Sequence, residues 1–146
     1  MSTRAHAALL RKGRISEPHR IYHVITNTLN RRPIFANLYA ARVLIRALQA
    51  EEHRGRARTI AFVVMPDHLH WLLELGKAEL CDVVGAVKSV VAHRMGRQIW
   101  QAGFFDRAVR RDEDLRAIAR YVVGNPIRAG LAPDLASYSH WDAIWL

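Results

Sequence analysis

The chain has 146 residues, 51% of them hydrophobic, a single cysteine and a formal net charge of +9 at pH 7. This composition predicts one globular domain in the cytoplasm, and it excludes an internal disulfide and a cysteine-built zinc site. No apolar run reaches the ~18 residues of a membrane span, and the N-terminal segment lacks the apolar core of a secretory signal. Apart from Lys12, Lys77 and Lys88 the cations are all arginines, which favours a nucleic-acid partner, with simple solubility charge as the alternative.

Hydrophobic periodicity, caps and turns predict the elements in chain order. Residues 1–19 form a basic, partly flexible arm ahead of one domain at 20–146. Asn37 is placed to cap the first helix and Gly55 to end it, and Asp112 is placed to cap the third. The predicted order is a strand at 21–26, a helix at 38–53, strands at 59–65 and 68–75, a helix at 79–97, a short strand within 101–110, and a helix ending at Asn125-Pro126. This order fits an α+β fold, a ferredoxin-like sandwich with helices packed on an antiparallel sheet.

The segment His68-Leu69-His70 follows a predicted Pro66-Asp67 turn and opens an apolar run. Residues i and i+2 of a strand face the same side, so the two imidazoles lie side by side while Leu69 faces the core. Two interpretations of this pair are open. The imidazoles are two ligands of a metal site that other residues complete, or they are ordinary strand histidines whose nitrogens form hydrogen bonds within the protein. Asp67 either orients one imidazole or only serves the turn.

Tyr121 and Asn125 lie four residues apart near the end of the third helix, which places them one turn apart on one side. A tyrosine oxygen can attack a phosphodiester and form a covalent link to phosphate. Two imidazoles and an amide oxygen suit Mg²⁺ or Mn²⁺ and leave positions open for phosphate oxygens. The alternatives are that Tyr121 only packs and that Asn125 only ends the helix before a proline.

Four segments in this order resemble REP-associated tyrosine transposases, a branch of the single-tyrosine HUH endonucleases. They are Tyr22-His23-Val24 with Arg31-Arg32-Pro33-Ile34-Phe35, the His68-Leu69-His70 triplet, Ile99-Trp100-Gln101-x-Gly103-Phe104-Phe105-Asp106, and Tyr121-x-x-x-Asn125-Pro-x-Arg-x-Gly. The resemblance covers about residues 20–142. The chain departs from it at Gly124, where His or Asn is common, and at Thr26-Asn27-Thr28, where an arginine is common.

The resemblance implies that 20–146 is one HUH transposase catalytic domain, a metal-dependent endonuclease and strand transferase for single-stranded DNA beside a palindromic hairpin. Tyr121 would be the nucleophile, which keeps the 5′-phosphate end and releases a 3′-hydroxyl. His68, His70 and Asn125 would hold the Mg²⁺ or Mn²⁺. The REP-associated branch also favours a monomer over the domain-swapped dimers of related transposases.

Basic residues around this predicted site are the candidates for contacts with DNA: Arg31, Arg32, Lys88, Arg110, Arg111 and Arg128. For Lys88, a solvated lysine is an almost equal alternative, and His23 is interpreted as an ordinary surface or core histidine. Trp100, Phe104 and Phe105 either stack on bases or pack in the core. Two other functions stay open: a non-catalytic DNA-hairpin-binding protein derived from a transposase, and an unrelated metal-dependent phosphodiesterase.

Overall fold

One antiparallel sheet organises the computed structural model, which describes residues 17–110, 113–134 and 137–143. Its strands are β1 (Ile21–Asn27), β2 (Ala57–Met65), β3 (His68–Leu75), β4 (Phe105–Ala108) and β5 (Trp141–Ala143). They are ordered β4-β1-β3-β2-β5, and every neighbouring pair is antiparallel. The first four strands therefore have the order of a ferredoxin-like sandwich, and the predicted α+β class is confirmed.

Four α-helices accompany the described sheet. They are α1 (Leu38–His53), α2 (Leu80–Met95), α3 (Leu115–Val123) and the short α4 (Asn125–Arg128), with 3-10 turns at Leu29–Arg31 and Ile34–Ala36. Asn37 caps α1 as predicted, because its side chain accepts a hydrogen bond from the amide of Ala40. The cap of α3 is Asp114, which accepts from the amide of Ala117, and the predicted cap Asp112 lies outside the described residues.

The two faces of the sheet are covered by different helices. Leu69 and Trp71 belong to the buried cluster that β3 shares with α1 and α2. On the opposite face, Leu72 is buried with Ala119 and Val123 of α3. Side chains alternate along a strand, so α3 covers the same face of the sheet as His68 and His70.

The C-terminal part of the chain contains a strand that the sequence did not predict. β5 has three residues and pairs with β2 over Ala61 to Val63, at the edge of the sheet. A segment this short has no readable alternation of its own, and it becomes a strand because the free edge of β2 supplies hydrogen-bond partners. No helix in the described part of the chain is long and apolar enough to cross a membrane.

Candidate metal and nucleophile site

His68 and His70 form a pair of adjacent imidazoles at the start of β3. Their ring centroids are 5.0 Å apart and their planes are 69° apart. His70 is buried, with 8% of the residue exposed, and β1 and β2 flank it on either side with Ile25 and Val63 as direct cross-strand partners. The strand pairing therefore fixes both rings on one face, in an interior position of the sheet.

Each of these imidazoles uses its Nδ1 atom for a contact within the protein. His68 Nδ1 lies 2.8 Å from the Oδ1 atom of Asp67, and His70 Nδ1 lies 3.0 Å from the Nε2 atom of His23. Among the described residues neither Nε2 atom of the pair has a hydrogen-bond partner. Both histidines are therefore oriented through one nitrogen and have the other available, the usual arrangement of metal-binding histidines.

Charge and burial favour the protonation states that such a site requires. Burial, together with the charges of His68, His23 and Arg128, lowers the pKa of His70 from 6.5 to about 3. At neutral pH its imidazole is uncharged, the form that binds a cation. Burial tends to raise the pKa of Asp67, but hydrogen bonds from His68 and Arg31 lower it below the ordinary value, so the carboxylate is ionised.

The helix that carries Tyr121 packs beside the histidine pair. Val122 shares a buried cluster with Val63 and Met65, which are the cross-strand partners of His70 and His68. Tyr121 itself is 58% exposed. Its phenol is therefore accessible to a large substrate, while its helix is held against the strand next to the histidines.

Arg128 connects the tyrosine to the histidines. Its guanidinium carbon lies 3.9 Å from the centroid of the Tyr121 ring, and its Nη2 atom donates to the Tyr121 carbonyl. Its charge also contributes to the lowered pKa of His70. Gly124 makes room for this arrangement, because a Cβ atom at that position would lie 2.9 Å from the Nη1 atom of Arg128.

Asn125 is the first residue of α4 and is half-buried. Its Nδ2 atom donates to the carbonyl of Val122 at 2.9 Å, which leaves the amide oxygen as a free acceptor. In the described ranges, no three His, Cys, Asp or Glu side chains lie close enough together to hold a metal ion. A site with three ligands of these types is therefore not present there. Two Nε2 atoms and one amide oxygen do fit a Mg²⁺ or Mn²⁺ ion that keeps open positions.

The basic residues predicted to meet DNA have different surroundings. Arg31 is half-exposed and paired with Asp67 at 3.0 Å, Arg32 is exposed, and Arg110 is exposed with its Nε atom 3.9 Å from Glu113. Arg111 lies outside the described residues.

Lys88 has an intramolecular role. Its Nζ atom donates to the carbonyls of Gln101 at 2.9 Å and Gly103 at 2.8 Å. Its predicted contact with a phosphate therefore gains no support from the geometry. Trp100, the aromatic residue beside it, is buried against Phe35, with ring centroids 5.3 Å apart, which favours the core alternative for this side chain.

His23 contacts a candidate site residue, which sequence reasoning did not anticipate. The sequence interpretation was an ordinary surface or core histidine, and the structure places it in direct contact with His70 from the neighbouring strand. The sequence did indicate which face of β1 carries His23. His23, Ile25 and Asn27 alternate with the buried residues Tyr22, Val24 and Thr26, and so lie on the opposite face of the strand. The alternation gave the face of the strand but not the pairing register of β1 and β3, so the sequence did not show which β3 residue His23 contacts.

Comparison with known proteins gives consistent findings. Residues 18–125 match the family described as "Transposase IS200 like". A REP-associated tyrosine transposase of Escherichia coli (strain K12) is 30% identical over 81 residues, which are 53% of this chain and 49% of the relative. The match thus spans about half the length of that relative.

Two solved structures share the fold. One is a REP-associated tyrosine transposase bound to a REP hairpin, with a TM-score of 0.77, 23% identity, and coverage of 88% of this chain and 79% of that chain. The other is a candidate transposase from Deinococcus radiodurans R1, with a TM-score of 0.54, 25% identity, and coverage of 78% and 95%.

Proposed function

The chain belongs to the IS200-like transposase family, and we propose that it is a metal-dependent endonuclease and strand transferase acting on single-stranded DNA through a covalent link to Tyr121. One observation carries the proposal. The helix of Tyr121 packs, through Val122, on the cross-strand partners of two imidazoles that both have a free Nε2 atom. The proposed nucleophile and the proposed cation ligands on β3 thus belong to elements packed on one face of one sheet, although they are about fifty residues apart in the chain.

The proposed metal ligands are His68, His70 and Asn125, which supply two imidazole nitrogens and an amide oxygen. A Mg²⁺ or Mn²⁺ ion bound there would polarise the phosphate oxygens and stabilise the departing oxygen. Asp67 and His23 hold the two rings in place through their Nδ1 atoms. The neutral state of His70, which follows from its lowered pKa, means that no proton must leave the ring before a cation binds.

The proposed chemistry is an exchange of one phosphodiester bond for another. The oxygen of Tyr121 attacks the backbone phosphorus, its phenolic proton passes to solvent, and the bond from phosphorus to the 3′ oxygen breaks. The 3′ oxygen takes a proton and departs as a hydroxyl, while the 5′-phosphate stays on the tyrosine. The proposed role of Arg128, whose guanidinium lies over the Tyr121 ring, is to bind the phosphate during both this step and its reversal, which would rejoin strands without a further energy source.

The proposed substrate is a DNA hairpin with a single-stranded flank. One solved relative is described as bound to a REP hairpin, and the Escherichia coli relative is named a REP-associated tyrosine transposase. The excess of arginine over lysine in this chain suits phosphate recognition. We further expect the protein to act as a monomer in the cytoplasm.

The test is covalent capture of labelled DNA. The protein is incubated with a hairpin carrying a 5′ or 3′ single-stranded tail and with Mn²⁺, Mg²⁺ or EDTA, and the products are separated on denaturing gels. The proposal predicts a protein–DNA adduct that requires the metal and is lost in Tyr121→Phe. Tyr39→Phe is the matched control, because Tyr39 is also exposed and lies on α1, away from the histidine-bearing face.

Two other outcomes would replace the proposal. Hairpin binding with no cleavage under any metal condition would make the chain a DNA-hairpin-binding protein that has lost catalysis. Cleavage that persists in Tyr121→Phe would make it a metal-dependent phosphodiesterase in which Tyr121 only packs.

A further inference from the structure

We infer that His23 is a positioning residue for the metal site, and that it accepts a hydrogen bond from Nδ1 of His70 and so presents His70 Nε2 to the cation. This inference rests on the proposed metal site of His68, His70 and Asn125 and adds a member to it. The observation behind it is a direct contact between two histidines on neighbouring strands, 47 positions apart in the chain.

The geometry of the two rings is that of an edge-to-edge hydrogen bond. His23 Nε2 lies 3.0 Å from His70 Nδ1, the ring centroids are 5.2 Å apart, and the ring planes are 29° apart. Strand pairing maintains this contact, because β1 and β3 run antiparallel with His23 opposite Leu72 and Ile25 opposite His70. His23 therefore reaches His70 diagonally across one rung of the sheet, from a rigid backbone.

The direction of this hydrogen bond decides which nitrogen of His70 carries the proton. A neutral imidazole has one N–H group, and a nitrogen that binds a cation must be the one without hydrogen. If His23 Nε2 accepts, His70 is the Nδ1–H form, and its Nε2 lone pair is free before any cation arrives. His23 then holds its own proton on Nδ1, on the side of the ring away from His70.

The other proposed ligand, His68, is also oriented through its Nδ1 atom, but by Asp67 instead of a histidine. His68 Nδ1 contacts the Asp67 carboxylate, which can only accept, so that ring also has its proton on Nδ1. The two ligands are thus oriented by two unlike acceptors, a carboxylate from the turn and an imidazole from the neighbouring strand. An imidazole adds no negative charge to the site, whereas a second carboxylate would.

The test compares His23→Gln with His23→Leu. The glutamine amide oxygen can accept from His70 Nδ1, but leucine has no acceptor. Tautomers are read from ¹⁵N–¹H spectra of the histidine rings in metal-free protein, and affinity is read from Mn²⁺ titrations followed by electron paramagnetic resonance. His93→Leu, a change of an exposed histidine on α2, is the matched control.

We expect His70 to be the Nδ1–H form in the wild type and in His23→Gln, and to lose that preference in His23→Leu. Mn²⁺ affinity should fall about 10-fold or more in His23→Leu and recover most of that loss in His23→Gln. Wild-type affinity and an Nδ1–H tautomer in folded His23→Leu would overturn the inference and leave the proposed function intact. If His23→Leu does not fold, an Nε2–H form of His70 in the wild type overturns it.

Failure of the proposed function gives a different result. In that case the wild type itself would bind no Mn²⁺, and His68→Gln and His70→Gln would behave like the wild type. The inference falls with it, because a positioning residue needs a metal site to position.

Discussion

The guanidinium of Arg128 lies over the ring of Tyr121 and also donates a hydrogen bond to the backbone of that residue. The guanidinium carbon is 3.9 Å from the ring centroid, and the Nη2 atom donates to the carbonyl of Tyr121. A cation over the face of an aromatic ring is attracted by the electron density of the ring. The hydrogen bond to the Tyr121 carbonyl further restrains the guanidinium in this position. The proposed nucleophile therefore has a fixed positive charge beside it before any DNA is bound.

The first prediction concerns this arginine. Arg128→Ala should slow adduct formation with the labelled hairpin by about 10- to 100-fold, because the charged donor that we propose for the phosphate is lost. Arg128→Lys should recover only part of the rate, since an ammonium lacks the planar, forked donor geometry of a guanidinium. Single-turnover rates measure this, with the exposed Arg46 of α1 changed to Ala as control. Equal rates for Arg128→Ala and wild type would remove Arg128 from the reaction.

The second prediction concerns the space at Gly124. In Gly124→Ala the new Cβ would lie 2.9 Å from Nη1 of Arg128 and 3.1 Å from the carbonyl of Arg120, so the guanidinium must shift from its present place over the ring. The backbone at Gly124 has φ −78°, which alanine adopts freely, so the free energy of unfolding should stay within about 1 kcal/mol of wild type. Adduct formation should slow in the same direction as in Arg128→Ala but by less, because the guanidinium is displaced and not removed.

A double-mutant cycle sharpens this second prediction. Gly124→Ala combined with Arg128→Ala should be no slower than Arg128→Ala alone, since both changes remove the same contact. Additive losses would show that Gly124 acts in some other way.

The third prediction concerns the carboxylate next to His68. Asp67→Asn keeps the size of the side chain but allows the amide to turn a donor toward His68 Nδ1. Mn²⁺ affinity should fall about 10-fold, as it does when a carboxylate behind a metal-binding histidine is lost. Calorimetric titration measures it, and Glu74→Gln at the far end of β3 is the control. Unchanged affinity would mean that the Asp67 carboxylate does not position His68 for a metal ion.

The fourth prediction follows from the lowered pKa of His70. Below pH 6.5 the unfolded chain takes up a proton on this residue, whereas the folded protein keeps it neutral down to about pH 3. The unfolded state binds more protons in that window, so stability is present above it and is lost as the pH falls. In EDTA, the contribution of His70 should reach a slope of up to about 1.4 kcal/mol per pH unit.

Urea unfolding between pH 7 and pH 4.5 checks this. His70→Gln should show a clearly shallower dependence on pH than wild type, and His93→Gln, a change of an exposed histidine on α2, is the matched control. The lowered pKa values of His23 and His140 act in the same direction and should leave a residual slope in His70→Gln. Identical curves for His70→Gln and wild type would show that His70 is not held neutral by the fold.

The fifth prediction separates two interpretations of Lys88. Its ammonium donates to the carbonyls of Gln101 and Gly103, and it lies 5.8 Å from the centroid of the Trp100 ring. Lys88→Met should therefore lower the free energy of unfolding by about 2 kcal/mol. The slope of log affinity for the hairpin against log salt should stay as in wild type. A slope smaller by about 1 would reveal a phosphate contact after all.

Much of the fold was accessible from the sequence because its signals are local. The Asn37 cap, the buried positions of α2 and the alternation along β3 each depend on residues close together in the chain. β5 was not accessible, because its three residues become a strand only against the edge of β2.

The site divides in the same way. The i, i+2 spacing was enough to predict that His68 lies beside His70. The functional roles of His68, His70, Tyr121 and Asn125 stay predictions. The contact of His23 with His70 needed the register of two strands, and the position of Arg128 on Tyr121 needed the helix break at Gly124. These relationships depend on how distant segments pack, which no short window of sequence contains.

The two oxygens of Asp67 serve two different parts of the chain. Oδ1 lies against His68, at the base of the β2–β3 turn, and Oδ2 accepts from Arg31, on the loop that leaves β1. A ligand that draws the Arg31 guanidinium outward must pull on the carboxylate that steadies the imidazole. Asp67 is thus one of several links between this loop and the turn, because the Thr28 amide and hydroxyl also donate to the Asp67 carbonyl and the Phe35 amide donates to the Pro66 carbonyl.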